Sequence, residues 1–234
     1  MEYKDITVIL PTLNESSTAP RLAGFISRRY RGIKVLVVDD GSTDGTKEAI
    51  KRISLHYPNV SFTSRAEKGL KRGLTASIIY GILKSKTGIA IVMDADFQHP
   101  PELIGRMASL IERGDDLSVA VRADVSGWAL YRKLISVTLS FIATATLLLR
   151  RSSRCSDVFS GFFGMRRSLF ISVYNKNRGR FVGSGYKVLY DMLKCTGSGS
   201  IKISEIPYTF RSRKGGKSKA GIKQALLLFK SFLS

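Results

Sequence analysis

The residues with the clearest chemical potential are two aspartates and a glutamine that follow a short apolar segment. Asp94 and Asp96 are separated by one residue, and Gln98 lies two positions further on. At the end of a strand, carboxylates two residues apart project to the same side. Carboxylate and amide oxygens suit Mg²⁺ or Mn²⁺, which keep open positions for the phosphate oxygens of a substrate. The spacing therefore predicts a metal site formed by Asp94, Asp96 and Gln98 that would neutralise charge on a departing diphosphate.

The elements that must position these carboxylates alternate between strand and helix. The apolar, β-branched segments predict strands at Ile6–Leu10, Lys34–Val38, Val60–Thr63, Ile89–Met93 and Val119–Val121, and helical spacing predicts helices at 16–31, Thr46–Leu55 and Leu74–Lys84. This alternation predicts an α/β fold with a mostly parallel, doubly wound sheet and helices on both faces. Ligands bind at the carboxyl ends of the strands in such sheets.

Polar clusters follow the first, second and fourth predicted strands, at Pro11–Glu15, Asp39–Asp44 and Asp94–Gln98. The simplest alternative for an Asp-x-Asp pair is a turn that caps a helix. The position at a strand end, together with the earlier Asp39-Asp40 pair, favours the metal site instead.

Familiar nucleotide and hydrolase motifs are absent. No Gly-x-Gly-x-x-Gly follows the first strand, so the dinucleotide fingerprint is missing. The segment Gly215–Ser218 resembles the end of a phosphate loop, but the required earlier glycine would fall at Arg211. With His56 and His99 as its only histidines, the chain is poorly supplied for a multi-histidine metal site or a Ser-His-Asp triad.

Composition indicates a globular protein whose basic charge is concentrated in the second half. The 234 residues are 44% hydrophobic and 24% charged, which excludes a disordered chain or a collagen-like repeat. Residues 1–120 hold 17 Lys and Arg against 14 Asp and Glu, whereas residues 121–234 hold 21 against 4. A net charge of +17 in the second half predicts an anionic partner: nucleic acid, a lipid head-group surface or a phosphorylated substrate.

Two apolar segments of the second half indicate contact with a membrane surface. Residues 134–149 are 16 consecutive residues without a charge. As a helix they would span about 24 Å, which is less than the thickness of a hydrocarbon core, about 30 Å. Leu134, Val137, Phe141, Ala145 and Leu148 form one stripe, which fits either an interfacial helix or a core helix. Residues 221–234 form a second amphipathic segment after a basic loop, and a docking helix on a solvated tail is the alternative.

At this point the sequence resembles the dolichyl-phosphate (polyprenyl-phosphate) mannosyltransferases, which are inverting glycosyltransferases of family 2 with the GT-A fold. The resemblance covers essentially the whole chain and rests on these segments: Pro11–Glu15, Val37–Thr46, Met93–Glu102, Tyr131–Ser136, Ser160–Phe163, Glu205–Phe210, and Arg213 with Gly216-x-Ser218-Lys219. Two segments depart from the family pattern. Lys68–Ala76 repeats a Gly-Leu element, and Asp157–Phe162 lacks the usual proline.

The resemblance implies roles for individual residues. Those implied to line the nucleotide-sugar pocket are Pro11, Leu13, Glu15, Val38, Asp40, Asp94, Ala95, Asp96, Lys187 and Lys219, with Asp40 toward the base or ribose. Those implied to contact the acceptor phosphate are Arg122, Arg132, Ser136 and Arg213, and Asp96, Arg122, Arg132 and Arg213 are the residues on which catalysis is expected to depend. The implied donor is GDP-mannose and the implied acceptor is a polyprenyl phosphate.

The chemistry of such an acceptor explains why no dedicated base is evident. A lipid monophosphate has a second pKa of about 6, so it is largely ionised near neutral pH and needs no proton removed. Catalysis then depends on positioning the phosphate oxygen and on stabilising the leaving diphosphate. Arginines provide forked donors for the acceptor phosphate, and the basic second half gathers an anionic head group.

We therefore expect residues 1–220 to form one GT-A catalytic domain. Residues 1–120 would bind the nucleotide sugar, residues 121–220 would bind the acceptor with 131–149 as an interfacial helix, and 221–234 would form a C-terminal amphipathic helix. The polar start and the absence of a long apolar span predict peripheral attachment to the cytoplasmic membrane face. The alternatives left open are a family 2 transferase that uses UDP-glucose, a non-catalytic lipid-surface adaptor, and a nucleic-acid-binding protein, which the lack of interleaved aromatic platforms disfavours.

Overall fold

A seven-stranded sheet forms the centre of the protein. A computed structural model describes residues 2–124, 130–181 and 187–209, with the side chains of residues 124–136 outside the description. The strands are β1 (Ile6–Thr12), β2 (Lys34–Asp39), β3 (Val60–Ser64), β4 (Ile89–Val92), β5 (Leu117–Asp124), β6 (Phe163–Arg166) and β7 (Ile203–Thr209). They lie in the order β3-β2-β1-β4-β6-β5-β7.

Seven α-helices of the described residues connect or cover these strands. They are α1 (Ala19–Arg29), α2 (Thr46–His56), α3 (Leu74–Lys84), α4 (Ile104–Glu112), α5 (Leu130–Leu149), α6 (Arg167–Lys176) and α7 (Val188–Leu193). The predicted alternation of strand and helix through β4 is confirmed. The ends differ by at most two residues in β1 to β4, and by two or three residues in β5 and α1. α3 has the predicted bounds, and α5 begins four residues before the predicted apolar stretch.

Helices cover both faces of the sheet, as the doubly wound pattern predicts. On one face, Leu22 and Ile26 of α1 and Met107 of α4 are buried in the same core as Val8 and Leu10. On the other face, α3, α5, α6 and α7 enclose the second core. β1 is buried along its whole length because both of its faces are covered, which is typical of a central parallel strand.

Strand direction brings the carboxyl ends of most strands to one edge of the sheet. β1, β2, β3 and β4 are parallel, β6 is antiparallel to both β4 and β5, and β7 is parallel to β5. β4 and β5 therefore run in the same direction on either side of β6. Residues that follow β4 and residues at the end of β5 consequently emerge at the same edge.

Helix α5 presents apolar side chains to the core and to the solvent at the same time. Ala143 and Leu147 are fully buried in the second core. In contrast, Val137 and Phe141 are 68% and 74% exposed, and Leu148 is also exposed. The stripe that the sequence singled out is thus the outer face of the helix, and a different set of apolar residues packs inward.

Candidate functional site

A tight turn directly after β4 carries the two predicted metal-binding aspartates. Asp96 is only 1% exposed, and its Oδ1 accepts a hydrogen bond from the backbone N–H of Gln98 at 3.0 Å. Phe97 has φ of 63°, in the left-handed region that costs energy for a bulky side chain. The Asp94 carboxylate is 28% exposed. A turn is therefore present, but neither aspartate caps the helices that follow it, and one carboxylate is left open to the solvent.

His99 lies beneath this turn and contacts Asp94. Its Nδ1 accepts a hydrogen bond from the backbone N–H of Asp94 at 3.1 Å, and its Nε2 lies 3.9 Å from Asp94 Oδ2. The ring stacks on Phe162 with centroids 5.3 Å apart. Burial, and then the nearby charge of Arg122, lowers the pKa of His99 to about 3, so the imidazole is neutral at physiological pH. The metal site predicted from the sequence did not include His99.

The segment before β6 packs closely behind the turn. A Cβ atom at Gly161 would lie 3.2 Å from Cε1 of His99 and 3.4 Å from Oδ2 of Asp94. Ser160 Oγ donates a 2.6 Å hydrogen bond to the carbonyl of Ala120 in β5. The glycine thus allows the backbone to approach the carboxylate, and the serine ties the same segment to the strand that carries Arg122.

Arg122 near the end of β5 is held by a forked ion pair. Its Nε donates to Oδ2 of Asp157 and its Nη2 donates to Oδ1, both at 2.7 Å. The backbone N–H of Arg122 also points at Oδ2, at 3.4 Å. Because a guanidinium carries its five N–H groups in a fixed plane, this fork sets the orientation of the whole group.

The structure brings the acidic turn and Arg122 to the same edge of the sheet. Asp94 follows β4 and Arg122 lies near the end of β5, and these two strands run in the same direction on either side of the antiparallel β6. His99, which contacts Asp94, stacks on Phe162 just before β6. Carboxylates and an arginine at one edge are what a reaction between two phosphate groups requires, one bound through a metal and one bound by a guanidinium.

Several predicted nucleotide-pocket residues lie at the neighbouring strand ends. Pro11 in β1 and Val38 in β2 are paired across the two strands and are buried. Leu13 and Glu15 are partly buried in the following loop. Glu15 Oε2 accepts a 2.7 Å hydrogen bond from Thr18 Oγ1, so part of its carboxylate organises the start of α1.

Asp40 anchors a loop in addition to any role at the base or ribose. Its Oδ1 lies 2.5 Å from Nη1 of Arg65, and its Oδ2 accepts a 2.6 Å hydrogen bond from the backbone N–H of Gly73. Arg65 is 4% exposed and also donates to the carbonyl of Lys71 at 2.8 Å. The carboxylate therefore fixes the segment that contains the repeated Gly-Leu element.

Lys187 is buried in a cluster of charges on α7 rather than at the surface. It is 1% exposed, and burial lowers its pKa although the charge of Asp191 opposes that shift. Asp191 Oδ1 lies 3.2 Å from Nζ of Lys194, and both side chains are fully buried. Arg213 and Lys219 lie outside the described residues, and Arg132 and Ser136 belong to α5 but their side chains are also outside the description.

The donor set fits a divalent ion that shares its coordination with substrate. Among the described residues, no group of three or more His, Cys, Asp and Glu side chains is positioned to enclose a metal. Asp94 and Asp96 offer hard carboxylate oxygens, one open and one buried. Mg²⁺ and Mn²⁺ are commonly bound by one or two carboxylates and completed by phosphate oxygens and water.

A second concave surface lies along β3 at one side of the sheet. It has a volume of about 590 Å³, and its lining extends from Thr7 and Lys34 at the starts of β1 and β2 to Ser64 and Lys68 at and beyond the end of β3. It holds none of the predicted site residues. Since ligands of such sheets bind at the carboxyl ends of the strands, the turn after β4 remains the candidate site.

Comparison with known proteins agrees with this arrangement. The sequence profile of the family described as glycosyl transferase family 2 matches residues 7–173, which is well over half of the chain. The chain belongs to glycosyl transferase family 2. The matched range includes Asp94, Asp96, Arg122 and Asp157.

Three similar proteins of this family are named dolichol-phosphate mannosyltransferase. The one from Pyrococcus furiosus is 33% identical over 220 residues, which cover 92% of this chain and 58% of that protein. Those from Mycosarcoma maydis and Saccharomyces cerevisiae are 27% and 28% identical, covering 91% and 92% of this chain and 72% and 80% of those proteins. The chain thus spans 58% of the length of the Pyrococcus relative, and the resemblance noted from the motifs is confirmed.

Similarity to solved structures confirms the predicted GT-A fold. Glucosyl-3-phosphoglycerate synthase from Mycobacterium tuberculosis superimposes with a TM-score of 0.70 at 17% identity, covering 98% of this chain and 79% of that one. The same enzyme was also determined with Mn²⁺, UDP-glucose and phosphoglyceric acid, and that structure has a TM-score of 0.70 at 16% identity, with the same coverage. At this identity the likeness concerns the fold.

Proposed function

We propose that this family 2 protein transfers a hexose, mannose from GDP-mannose, to a polyprenyl or dolichyl phosphate with inversion at the sugar carbon. The observation that carries the proposal is the shared edge of the sheet, where the partly exposed carboxylate of Asp94 follows β4 and the forked guanidinium of Arg122 lies near the end of β5. The names of the three similar proteins support the choice of acceptor and sugar.

The acceptor side needs orientation rather than deprotonation. A lipid monophosphate carries a second pKa of about 6, so an oxygen of the phosphate is already a nucleophile near pH 7. Arg122 donates N–H groups to this phosphate, and Asp157 keeps the guanidinium plane fixed while the phosphate approaches. Arg132, Ser136 and Arg213 are proposed to complete this subsite. Fixed donors of this kind reduce the entropy lost on reaching the reactive geometry.

The donor side must hold a nucleoside diphosphate and stabilise the charge that develops on it. When bound, Mg²⁺ or Mn²⁺ neutralises the departing diphosphate. Asp94, Asp96 and Gln98 are proposed to hold this ion, and Lys187 and Lys219 are proposed to contact donor phosphates. Pro11, Leu13, Glu15, Val38, Asp40 and Ala95 would line the remainder of the nucleotide-sugar pocket. A single displacement between the two phosphates inverts the sugar carbon.

The two halves of the chain then have different roles, one in binding the donor and one in binding the acceptor. Residues 1–120 supply the turn after β4 and the loops after β1 and β2, whereas β5 and later segments supply Arg122 and Asp157. We propose residues 1–220 as one catalytic domain and 221–234 as a C-terminal amphipathic helix. This division also accounts for the excess of basic residues after residue 120, since that half would attract an anionic lipid head group.

The proposal is tested with purified protein, a polyprenyl phosphate and a panel of nucleotide sugars. Lipid-linked mannose should form from GDP-mannose with Mg²⁺ or Mn²⁺, and excess EDTA should stop it. Faster transfer from UDP-glucose would replace the donor assignment and leave the transferase intact. Product formation that continues in EDTA would contradict the metal site. Absence of product with every donor, combined with salt-sensitive oligonucleotide binding, would favour the nucleic-acid alternative.

The outer face of α5 is the proposed contact with the membrane. Within the described residues, no helix combines the length and apolar character needed to span a bilayer. Val137, Phe141 and Leu148 nevertheless form an exposed apolar stripe on a helix whose other face is buried in the core. A helix with this pattern lies in the plane of a membrane interface. We place this contact at the cytoplasmic face, where anionic lipids attract a basic protein.

Phe141→Ser is expected to weaken binding to phosphatidylcholine vesicles that contain phosphatidylglycerol by about tenfold. Inserting most of a Phe side chain into an apolar phase contributes about 1–2 kcal/mol, and this contribution would be lost. Vesicle sedimentation measures the change. Leu55→Ser is the matched control, because Leu55 is an 82% exposed apolar residue on α2 rather than α5. If both substitutions weaken vesicle binding equally, or if neither weakens it, α5 is not the contact with the membrane.

A further inference from the structure

His99 has contacts that a simple packing residue does not need. Both of its ring nitrogens face Asp94, with Nδ1 3.1 Å from the backbone nitrogen and Nε2 3.9 Å from carboxylate oxygen Oδ2. A backbone N–H can only donate, so Nδ1 must be the acceptor, and the proton of the neutral ring is then on Nε2. This tautomer points its N–H toward the carboxylate that the metal would share.

The surroundings of His99 leave its ring little freedom. Phe162 stacks against one face at an interplanar angle of 19°, and Tyr208 meets the ring edge-on with centroids 6.0 Å apart. A Cβ atom at Gly161 would lie only 3.2 Å from Cε1, so a larger residue there would press against the ring. A ring packed against two aromatic side chains holds its nitrogen atoms in a fixed direction.

The loop between the two residues makes this contact possible. Asp94 and His99 are five residues apart, and the left-handed backbone at Phe97 together with the hydrogen bond from Gln98 to Asp96 turns the chain back on itself. The histidine therefore closes the turn that carries both aspartates. Strained backbone that surrounding contacts hold in place is found mainly at functional sites.

We infer that His99 is a positioning residue for the metal site, which sets the direction of the Asp94 carboxylate by accepting the Asp94 backbone N–H and by facing Oδ2. This inference rests on the proposed function, because it assumes that Asp94 binds a divalent ion. Groups that orient metal ligands typically contribute 10- to 100-fold to metal affinity.

Two substitutions separate the acceptor atom from the ring. His99→Phe keeps an aromatic ring against Phe162 but removes both nitrogens. His99→Asn removes the ring but places an amide oxygen near the position of Nδ1, where it can accept the same N–H. If His99 positions Asp94, the variant that keeps an acceptor atom, His99→Asn, should keep its metal affinity. If His99 acts only by packing, the variant that keeps an aromatic ring, His99→Phe, should keep its metal affinity and its stability.

The probe is Mn²⁺ in the presence of GDP, titrated into the full chain and followed by electron paramagnetic resonance, with thermal unfolding measured in parallel. We expect His99→Phe to weaken Mn²⁺ binding about tenfold. His99→Asn should stay within about threefold of the unsubstituted protein although its Tm falls. If the Mn²⁺ affinity of the variants falls in proportion to their Tm, or is unchanged in both variants, the inference about His99 is wrong and the proposed function still stands. Failure of the unsubstituted protein to bind Mn²⁺ would overturn the metal site of the proposed function, and the inference with it.

Discussion

Asp96→Ala is expected to reduce the transfer of sugar to polyprenyl phosphate by about a thousandfold while the protein remains folded. Loss of a group that stabilises charge in the transition state typically costs a factor of 10² to 10³, and Asp96 is proposed to hold the ion that provides this stabilisation. The substitution removes one hydrogen bond to the backbone N–H of Gln98, which contributes about 1 kcal/mol. Initial rates of lipid-linked mannose formation and denaturant unfolding measure the two effects.

Asp96→Asn distinguishes the metal site from the turn. The amide oxygen of asparagine still accepts the Gln98 N–H, so the turn persists while the negative charge is lost. If Asp96 binds the metal, asparagine and alanine should be similarly inactive. If the residue acts only through the turn, Asp96→Asn should retain most of the activity and the metal assignment would be wrong. Glu112→Ala, which removes an exposed carboxylate at the end of α4, should change neither property.

The sequence predicts the sheet well because its strands are short apolar runs followed by polar clusters. β1, β2 and β4 pair in parallel as this pattern indicates, and their polar ends meet at one edge. The reversal of β6 is not evident from the sequence, since Phe163–Arg166 is four residues long and carries no alternation. Only its pairing with both β4 and β5 shows that Arg122 emerges beside Asp94.

Helix α5 illustrates a limit of hydrophobic periodicity. Its sequence is apolar on more than one side, so the stripe through Val137 and Phe141 is as regular as the one through Ala143 and Leu147. The spacing alone cannot decide which stripe faces the core. Only the folded structure shows that Ala143 and Leu147 are buried in the second core while Val137 and Phe141 are exposed.

Within the site, residue types can be predicted more readily than their partners. Asp94 and Asp96 are recognisable from their spacing after a strand. Asp157 lies 35 residues from Arg122 and His99 contacts Asp94 through a turn with a left-handed residue, so neither contact follows from local pattern. Asp40 shows the same limit, since its hydrogen bond to Gly73 spans 33 residues.

Arg122→Lys is expected to lower kcat/KM for the polyprenyl phosphate acceptor by about a hundredfold. Lysine retains the positive charge, but its single ammonium group cannot form the two 2.7 Å contacts with Asp157 and present further donors in a fixed plane. Misplacement of a reacting group by about 1 Å is sufficient for a hundredfold loss. Rates measured over a range of acceptor concentrations, with saturating donor, separate KM from kcat.

Asp157→Asn tests whether the fork acts by orienting Arg122. The amide retains one acceptor oxygen and replaces the other with a donor, so the guanidinium loses half of its fork, and we expect an intermediate loss of about tenfold. Combining it with Arg122→Lys should cost less than the product of the two losses, because both substitutions remove the same interaction. A combined loss equal to the product of the two single losses would contradict a shared role.

A matched arginine at the opposite edge of the sheet shows whether these losses reflect stability alone. Arg166 ends β6 and donates to the carbonyls of Asp115 and Ile111 at 3.1 and 2.8 Å, so it too is a forked, partly buried arginine. Arg166→Lys should lower the free energy of unfolding without changing kcat/KM of the folded protein. If Arg122→Lys behaves in the same way, Arg122 is a structural residue. If only Arg122→Lys slows transfer at a comparable stability, the guanidinium beside the acidic turn acts on the acceptor phosphate.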